Sequence, residues 1–498
     1  MHHRIPVLGL GVVSALLLTG CFGPANQPAT ESAAGSGRIK LAMLQPPRSS
    51  LSPLSDDAFK LSRWSTAETL VNLDKEGDAQ PRLATAWKQT TDKTWEFTLR
   101  KGVMFHDGSE LTAEVAANSL TRATKASPKP RILDGVELTA KAEGGKLLVT
   151  TGESDPLVPH RLSSPQLSIL STDAYGKNGK VNPVGTGSGP FELVKVNGTT
   201  TATLDRYDDY WGEKAKAAGI DVSFVPDGAA RAAAIRSGEA HIAEAVPVSQ
   251  ASLLEENTIT EVPMPRTNTL YLNTESGPLK DAGLRSAVRE AVDPDELVKG
   301  VYEGRADIAK GLLGPALPWA AEGRKELKDP TKAKAPKGTT ITLATFTDRA
   351  ELPEVASVLQ QQLKDAGFKV KQVVREYAHI EEDALSGKFD AFILSRATVL
   401  DSGDPVAYLY SDFACDGSFN IAQLCDENID KAVNKAALAP AGDKRRALIL
   451  DAEAAILKTD AAIPMLHERV IQGDATSVTG SAKDPRERLL ITSDTEVK

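Results

Sequence analysis

Thr339-Thr-Ile-Thr-Leu-Ala-Thr-Phe346 is followed by Leu352, Val355, Leu359 and Leu363, and then by Phe368-Lys-Val-Lys-Gln-Val-Val374; this stretch decides the class of fold. The first run alternates in the manner of a strand. The four apolar residues after it recur at helical spacing, so they share one face of a helix, and Gly367 offers that helix a stop. The third run is a strand again. A strand, a helix and a strand in succession form an α/β unit with a parallel sheet, because the helix carries the chain back across.

Outward from this unit the pattern continues. Phe389–Leu394 reads as a further apolar strand, and residues 444–458 as a helix with Leu448, Ala452, Ala455 and Ile456 inward. Asp329–Gly338, rich in Lys and Pro, reads as a surface loop. Towards the N-terminus, strands are expected at Ile39–Leu44, Thr94–Leu99, Leu147–Thr151, Phe191–Val196 and Thr201–Arg206. A helix over 111–123 enters through Thr112 as its N-cap, and one over 228–237 stops at Gly238. A chain of 498 residues calls for two or three core-forming units. With 41% hydrophobic and 25% charged residues it has the composition of a folded globular protein rather than a disordered one. Its net charge of −9 argues against nucleic acid as a partner.

The first 37 residues differ from the rest. Arg4 precedes an apolar run, Ile5 to Leu18, and then Leu18-Thr-Gly-Cys21. The run falls short of the roughly 20 residues that cross a bilayer. It reads as a signal segment over residues 1–20, followed by a flexible Ala-, Ser-, Gly- and Pro-containing tether over 21–37. Leu-Thr-Gly-Cys resembles the bacterial lipobox, which implies cleavage before Cys21 and lipidation of that residue. Of three cysteines, Cys415 and Cys425 remain. In an exported chain they read as a disulfide; a two-cysteine metal site is the rival, but no histidine lies near either.

Several motifs occur in one order. They are Glu68-Thr-Leu-Val-Asn-Leu-Asp-Lys-Glu-Gly77, Pro81-Arg-Leu-Ala-Thr-Ala-Trp87, and Trp95 through Phe105-His-Asp-Gly108. After these come Asn182-Pro-Val-Gly-Thr-Gly-Ser-Gly-Pro-Phe191, Tyr207-Asp-Asp-Tyr-Trp-Gly212, Tyr271-Leu-Asn273, Leu284 through Asp293, and Asn420 with Asp430. This series resembles the family 5 extracellular solute-binding proteins, the peptide- and nickel-binding components of ABC importers. The resemblance implies an α/β fold of the periplasmic-binding-protein kind (type II, cluster C), with two lobes, an extra domain, a central cleft and a hinge. Carried over, domain I comprises 38–75, 181–268 and 468–498, domain II 76–180, and domain III 269–467, with crossings near 268–272 and 466–470.

The residues suggest where a ligand would be held. In Phe392-Ile-Leu-Ser-Arg-Ala-Thr-Val-Leu-Asp-Ser-Gly-Asp-Pro405 an apolar strand runs into a polar loop. Such loops, beyond the carboxyl ends of strands, are where α/β sheets present ligand groups. In dipeptide-binding relatives an Asp of the similar loop takes the ligand ammonium, and Asp401 stands at the matching position. Arg349, between strand and helix, stands near the point where relatives take the ligand carboxylate; a guanidinium suits that task. Arg396 is a second cation candidate, and Thr398 and Ser402 add polar groups in the same loop. Trp64 could wall the pocket and Tyr271 could contribute near a hinge, each with core packing as the alternative. An exposed loop residue is the alternative for Asp401 and Arg349. His106 is read as structural. The aromatic residue that several relatives carry just before the matching Asp is replaced by Ala397-Thr398-Val399.

Two binding functions fit: capture of short peptides, or of nickel or another metal as a chelate. A secreted hydrolase is disfavoured, because the chain has no Gly-x-Ser-x-Gly or zincin motif and no free cysteine for a Cys/His pair. Expected partners are the small ligand, ABC permease and ATPase subunits, and a membrane through the N-terminal lipid. The chain is expected to be a monomer on the outer face of a membrane or in a periplasm, without a catalytic residue, cofactor or resident metal.

Overall fold

The computed structural model describes residues 37–133, 135–176, 179–327, 330–349, 351–399 and 402–498. The signal segment, Cys21, the tether up to residue 36, and Asp401 lie outside the described residues.

The α/β reading at the chain's centre holds. Thr340–Phe346 pairs in parallel with Lys369–Arg375 on one side and Ala391–Ala397 on the other. Between the first two strands runs the helix Glu351–Asp365, and its Leu352, Val355, Leu359 and Leu363 are fully buried. Gly367 ends it with a positive φ of 98°, a conformation that glycine adopts without strain. The apolar strand runs later than expected, over 391–397 instead of 389–394. Its partner sets its ends: Leu272 faces Ala391 and Arg266 faces Ala397 along the whole length.

These strands are one wing of an 11-stranded sheet. In the other wing Ile39–Met43 lies between Gly219–Phe224 and Ile242–Val246, parallel to both. Thr201–Arg206 and Phe191–Asn197 extend it antiparallel to the edge. Two long antiparallel strands join the wings: an outgoing strand, Ile259–Leu272, and a return strand, Ala462–Asp474. Their register shifts between Pro263 and Thr267 and again between Asn268 and Thr269. The outgoing strand pairs with the strand of the second wing from Arg266 to Leu272. Pro263 and Pro265 cannot donate to a ladder, which suits a place where pairing changes.

A separate four-stranded antiparallel sheet comprises Ala84–Thr91, Thr94–Leu99, Leu138–Glu143 and Lys146–Thr151. The helix Ala113–Thr124 packs on it, and Phe97, Phe105, Leu120, Leu147 and Val149 form the core between them. As read from the sequence, Thr112 caps this helix, its hydroxyl accepting from Val115 N at 3.3 Å. The helix Gly228–Ser237 ends at Gly238 in the left-handed conformation.

The distinctive motifs prove to be joints of the scaffold. Glu68, buried, accepts from Ser188 Oγ at 2.8 Å, Tyr210 OH at 3.0 Å and Trp211 Nε1 at 2.9 Å, and pairs with Arg82 at 2.6 Å. One carboxylate thus ties four separate motifs together. The glycine-rich turn lies against the backbone just before it. A Cβ at Gly187 would stand 2.0 Å from Thr66 O, and one at Gly189 1.9 Å from Ser65 O. His106 Nε2–H donates to Gly189 O at 2.9 Å. Burial lowers its pKa to about 4, so the ring is neutral.

Cys415 and Cys425 are joined by a disulfide, with Cα atoms 4.4 Å apart. Asn420 braces the loop between them, its Nδ2 donating to Ala414 O and Leu424 O at 3.0 and 2.6 Å. Asp430 accepts from Cys415 N at 3.0 Å. No helix among the described residues is long and apolar enough to cross a membrane.

Candidate functional site

Where the outgoing strand changes partners, arginines and acids from distant parts of the chain converge. Arg349 follows the strand Thr340–Phe346 and donates through Nη1 to Glu468 Oε2 at 2.9 Å. Glu468 is on the return strand, and its other oxygen accepts from Asn268 Nδ2 at 3.2 Å. Burial opposes the charge of Arg349, but Glu468 and Glu487 outweigh it and hold its pKa above the ordinary value. The side chain remains 33% exposed, so it has donors to offer beyond the one given to Glu468. Beside it Glu351 is pushed up, by burial first and then by Glu468.

Arg396 is engaged differently. Nε and Nη2 grip both oxygens of the buried Asp412 at 2.9 and 2.7 Å, and its guanidinium lies 4.3 Å from the Phe419 ring centre. Its anionic partner is therefore internal, and the bidentate pair engages one edge of the guanidinium, Nε and Nη2, with Asp412. Tyr271 belongs to the same core. It stacks on Phe413 at 5.9 Å, donates to Asp412 Oδ2 at 3.2 Å, and is 1% exposed. Trp64 is fully buried among Met43, Phe224 and their neighbours, with Nε1 on Met43 Sδ at 3.1 Å. For both, core packing is what the structure shows, and neither presents a face to a cleft.

The loop after Ala397 is pinned at several points. Thr398 N donates to Pro265 O at 2.8 Å, extending the sheet past the strand's end, and its hydroxyl bonds the same carbonyl at 3.4 Å. Ser402, buried, accepts from Asp404 N at 3.4 Å. Arg445 grips both oxygens of Asp404 at 2.7 and 3.0 Å. Thr398, Ser402 and Asp404 are thus each held by partners of their own. Gly77 approaches Gly403 so closely that a Cβ on it would stand 3.2 Å from Gly403 O. Asp78 and Arg446 form a 2.7 Å ion pair, and Arg486 donates to the carbonyls of Asp74 and Lys75.

Arg266 was not singled out by the sequence reading. It lies on the outgoing strand, one residue past Pro265, with its side chain 21% exposed. Glu487 Oε1 is 3.8 Å from its Nε, outside hydrogen-bonding range. Glu487 is also held by Arg63 at 3.0 Å, which pairs in turn with Glu244. The available signal was a cation directly after two prolines in a long strand, where the ladder must break. Among the described residues no group of three or more His, Cys, Asp or Glu could hold a metal ion.

Residues 78–420 match the family model of bacterial extracellular solute-binding proteins, family 5. The chain belongs to that family. This solute-binding protein is 26% identical over 384 residues to the nickel-binding protein NikA of Staphylococcus aureus, covering 74% of this chain and 76% of the relative. It is 27% identical over 453 residues to the dipeptide-binding protein of Escherichia coli, covering 81% and 84%. Its fold matches the crystal structure of a nickel ABC transporter protein from Bacillus halodurans with a TM-score of 0.77 at 25% identity, over 93% of this chain and all of the other. The fold is that of the type II periplasmic binding proteins.

Proposed function

We propose that this solute-binding protein captures short peptides in a cleft between two lobes and delivers them to an ABC permease driven by its ATPase subunits. The observation that carries the reading is Arg349: a half-buried side chain, held in place by a hydrogen bond to Glu468, that keeps donors for a carboxylate. Asp401 would take the ammonium of the peptide. Arg63, Arg266 and Arg349 stand among Glu244, Glu351, Glu468 and Glu487, so charges of both signs lie close together, which suits a zwitterion better than a strongly charged ligand. The dipeptide-binding relative supports the same choice. In this reading domains I, II and III have the boundaries expected from the sequence, and the outgoing and return strands would serve as the hinge about which the lobes close. The chain is a monomer tethered to the outer face of a membrane, or in a periplasm, by lipid on Cys21.

Titration calorimetry of purified protein with a dipeptide and tripeptide library tests this. Micromolar binding, about −8 kcal/mol, is expected for some members; no heat from any of them would sink the reading. A second reading, receptor for a nickel chelate, is favoured by the nickel-binding relatives. It predicts heat with Ni(II)–histidine and none with peptides.

A further inference from the structure

We propose that His160 is a pH-sensitive latch between two separately cored parts of the fold, holding them together while neutral and loosening them when it takes up a proton. His160 stands on the short helix Val158–Arg161. Val158 and, just past the helix, Leu162 pack in the core of the four-stranded sheet. Opposite lie Asp404, on the turn before the helix Val406–Phe413, and Arg445 and Arg446, on the helix Asp443–Leu457. Val406, Ile449 and Leu450 of those two helices pack in another core, the one that also holds Ile341 and Leu343. His160 and the three charged residues, together with Glu76 and Asp78, line one small cavity with room for little more than a water molecule. Around it the two sides meet through the backbone approach of Gly77 to Gly403 and the Asp78–Arg446 pair, while their apolar residues cluster apart. A polar contact of this kind parts more readily than a packed core.

The ring is 6% exposed, and its Nδ1 is closed off from solvent with no hydrogen-bond partner among the described residues. A proton there would add a cation where the acids are already engaged. Arg445 grips Asp404 through both oxygens, and Val406 N donates to it as well. Arg446 pairs with Asp78, and Lys75 with Glu76. Arg488, which donates to the carbonyl and hydroxyl of Ser163, adds its repulsion from the C-terminal segment. On the helix of His160 itself, Arg161 pairs with Asp155. Burial lowers the pKa of His160; Asp404 and Asp78 oppose the shift, and Arg445 and Arg488 add to it.

Once the two sides part, water reaches the ring and its ordinary pKa of 6.5 returns. The parted form then binds a proton that the joined form refuses. The joined form is therefore fully favoured above pH 6.5 and loses ground as pH falls below it, by up to about tenfold per pH unit. The inference concerns this contact and stands whichever solute the protein carries. Only one consequence rests on the proposed reading: there the contact joins domain II to domain III, so acid would loosen the closed receptor.

Amide hydrogen exchange of the full chain without ligand tests the latch at about pH 7.5 and about pH 5.5, with rates corrected for the intrinsic effect of pH. In wild type, protection of peptides covering 74–78, 158–163 and 402–409 is expected to fall by about tenfold between the two, relative to that of the strand Thr94–Leu99. In H160Q the same peptides should show no such fall. Equal falls in the two proteins, or none in wild type, overturn the proposal. Should H160Q melt early, NMR titration of the His160 ring in wild type decides the matter. A pKa below the ordinary 6.5 is expected, and one at or above it overturns the latch.

Discussion

At Gly187 and Gly189 the backbone of residues 65 and 66 occupies the space a side chain would need. Backbone cannot rotate away as a side chain can, so Gly189→Ala is expected to cost about 3 kcal/mol or more, read as a lowered denaturation midpoint. His467 gives a pH-dependent counterpart. It is 4% exposed, and burial, then the charge of Arg324, lowers its pKa to about 4. Thr267 gives its one hydroxyl proton to Leu312 O, so it accepts from His467 Nδ1–H at 3.0 Å. The unfolded chain takes up this proton near pH 6.5, the folded chain only near 4. Stability from this residue is thus present above pH 6.5 and lost as pH falls towards 4, by roughly 3 kcal/mol at most. H467Q should flatten the dependence of melting temperature on pH across that window; an unchanged slope would contradict it. Residue type alone could not place Trp64 or Tyr271, because a large aromatic serves a core and a pocket wall equally well until its neighbours are known. Arg349 was legible from its place between strand and helix. Arg266 was not, because what distinguishes it is the lack of a close partner.

At the scale of elements, most boundaries were readable because local chemistry sets them: Thr112 and Gly238 cap where capping residues should. The strand Ala391–Ala397 was misplaced because strand pairing, which joins residues far apart in the chain, sets its ends. The loop closed by Cys415 and Cys425 lies between the helices Val406–Phe413 and Glu427–Leu438; Asn420 braces it from within and Asp430 from the second helix. Removing the bond in a C415S/C425S variant is expected to cost roughly 2–3 kcal/mol. Urea midpoints should fall for the variant, and reductant should lower that of the wild type and leave the variant unmoved.

Across the whole molecule, the Asp78–Arg446 pair and the approach of Gly77 to Gly403 join parts of the chain far apart in sequence. Neither Asp78 nor Arg446 is placed against the proposed ligand. If these contacts hold the closed form, D78N and R446Q should weaken ligand affinity by a few-fold, since partly exposed pairs are worth about 1 kcal/mol or less. Small-angle scattering should show a more open average shape, and a fully ligand-loaded sample should restore the compact one. Unaltered affinity and unaltered scattering would show that the pair has no part in closure.

Finally, the outgoing and return strands lie side by side, with Tyr271 opposite Ala462, so residues 273–461 begin and end at neighbouring points. The wing they form hangs from the rest as a closed excursion of the polypeptide. A mechanical load applied between the two ends of the chain would bypass this excursion until the contacts of residues 259–263 with 469–473 peeled apart. Stretched in an optical trap, the protein should lengthen in two separate releases, with the stretch 273–461 paying out second. A pull transmitted through the N-terminal end would then spare the wing that carries Arg349.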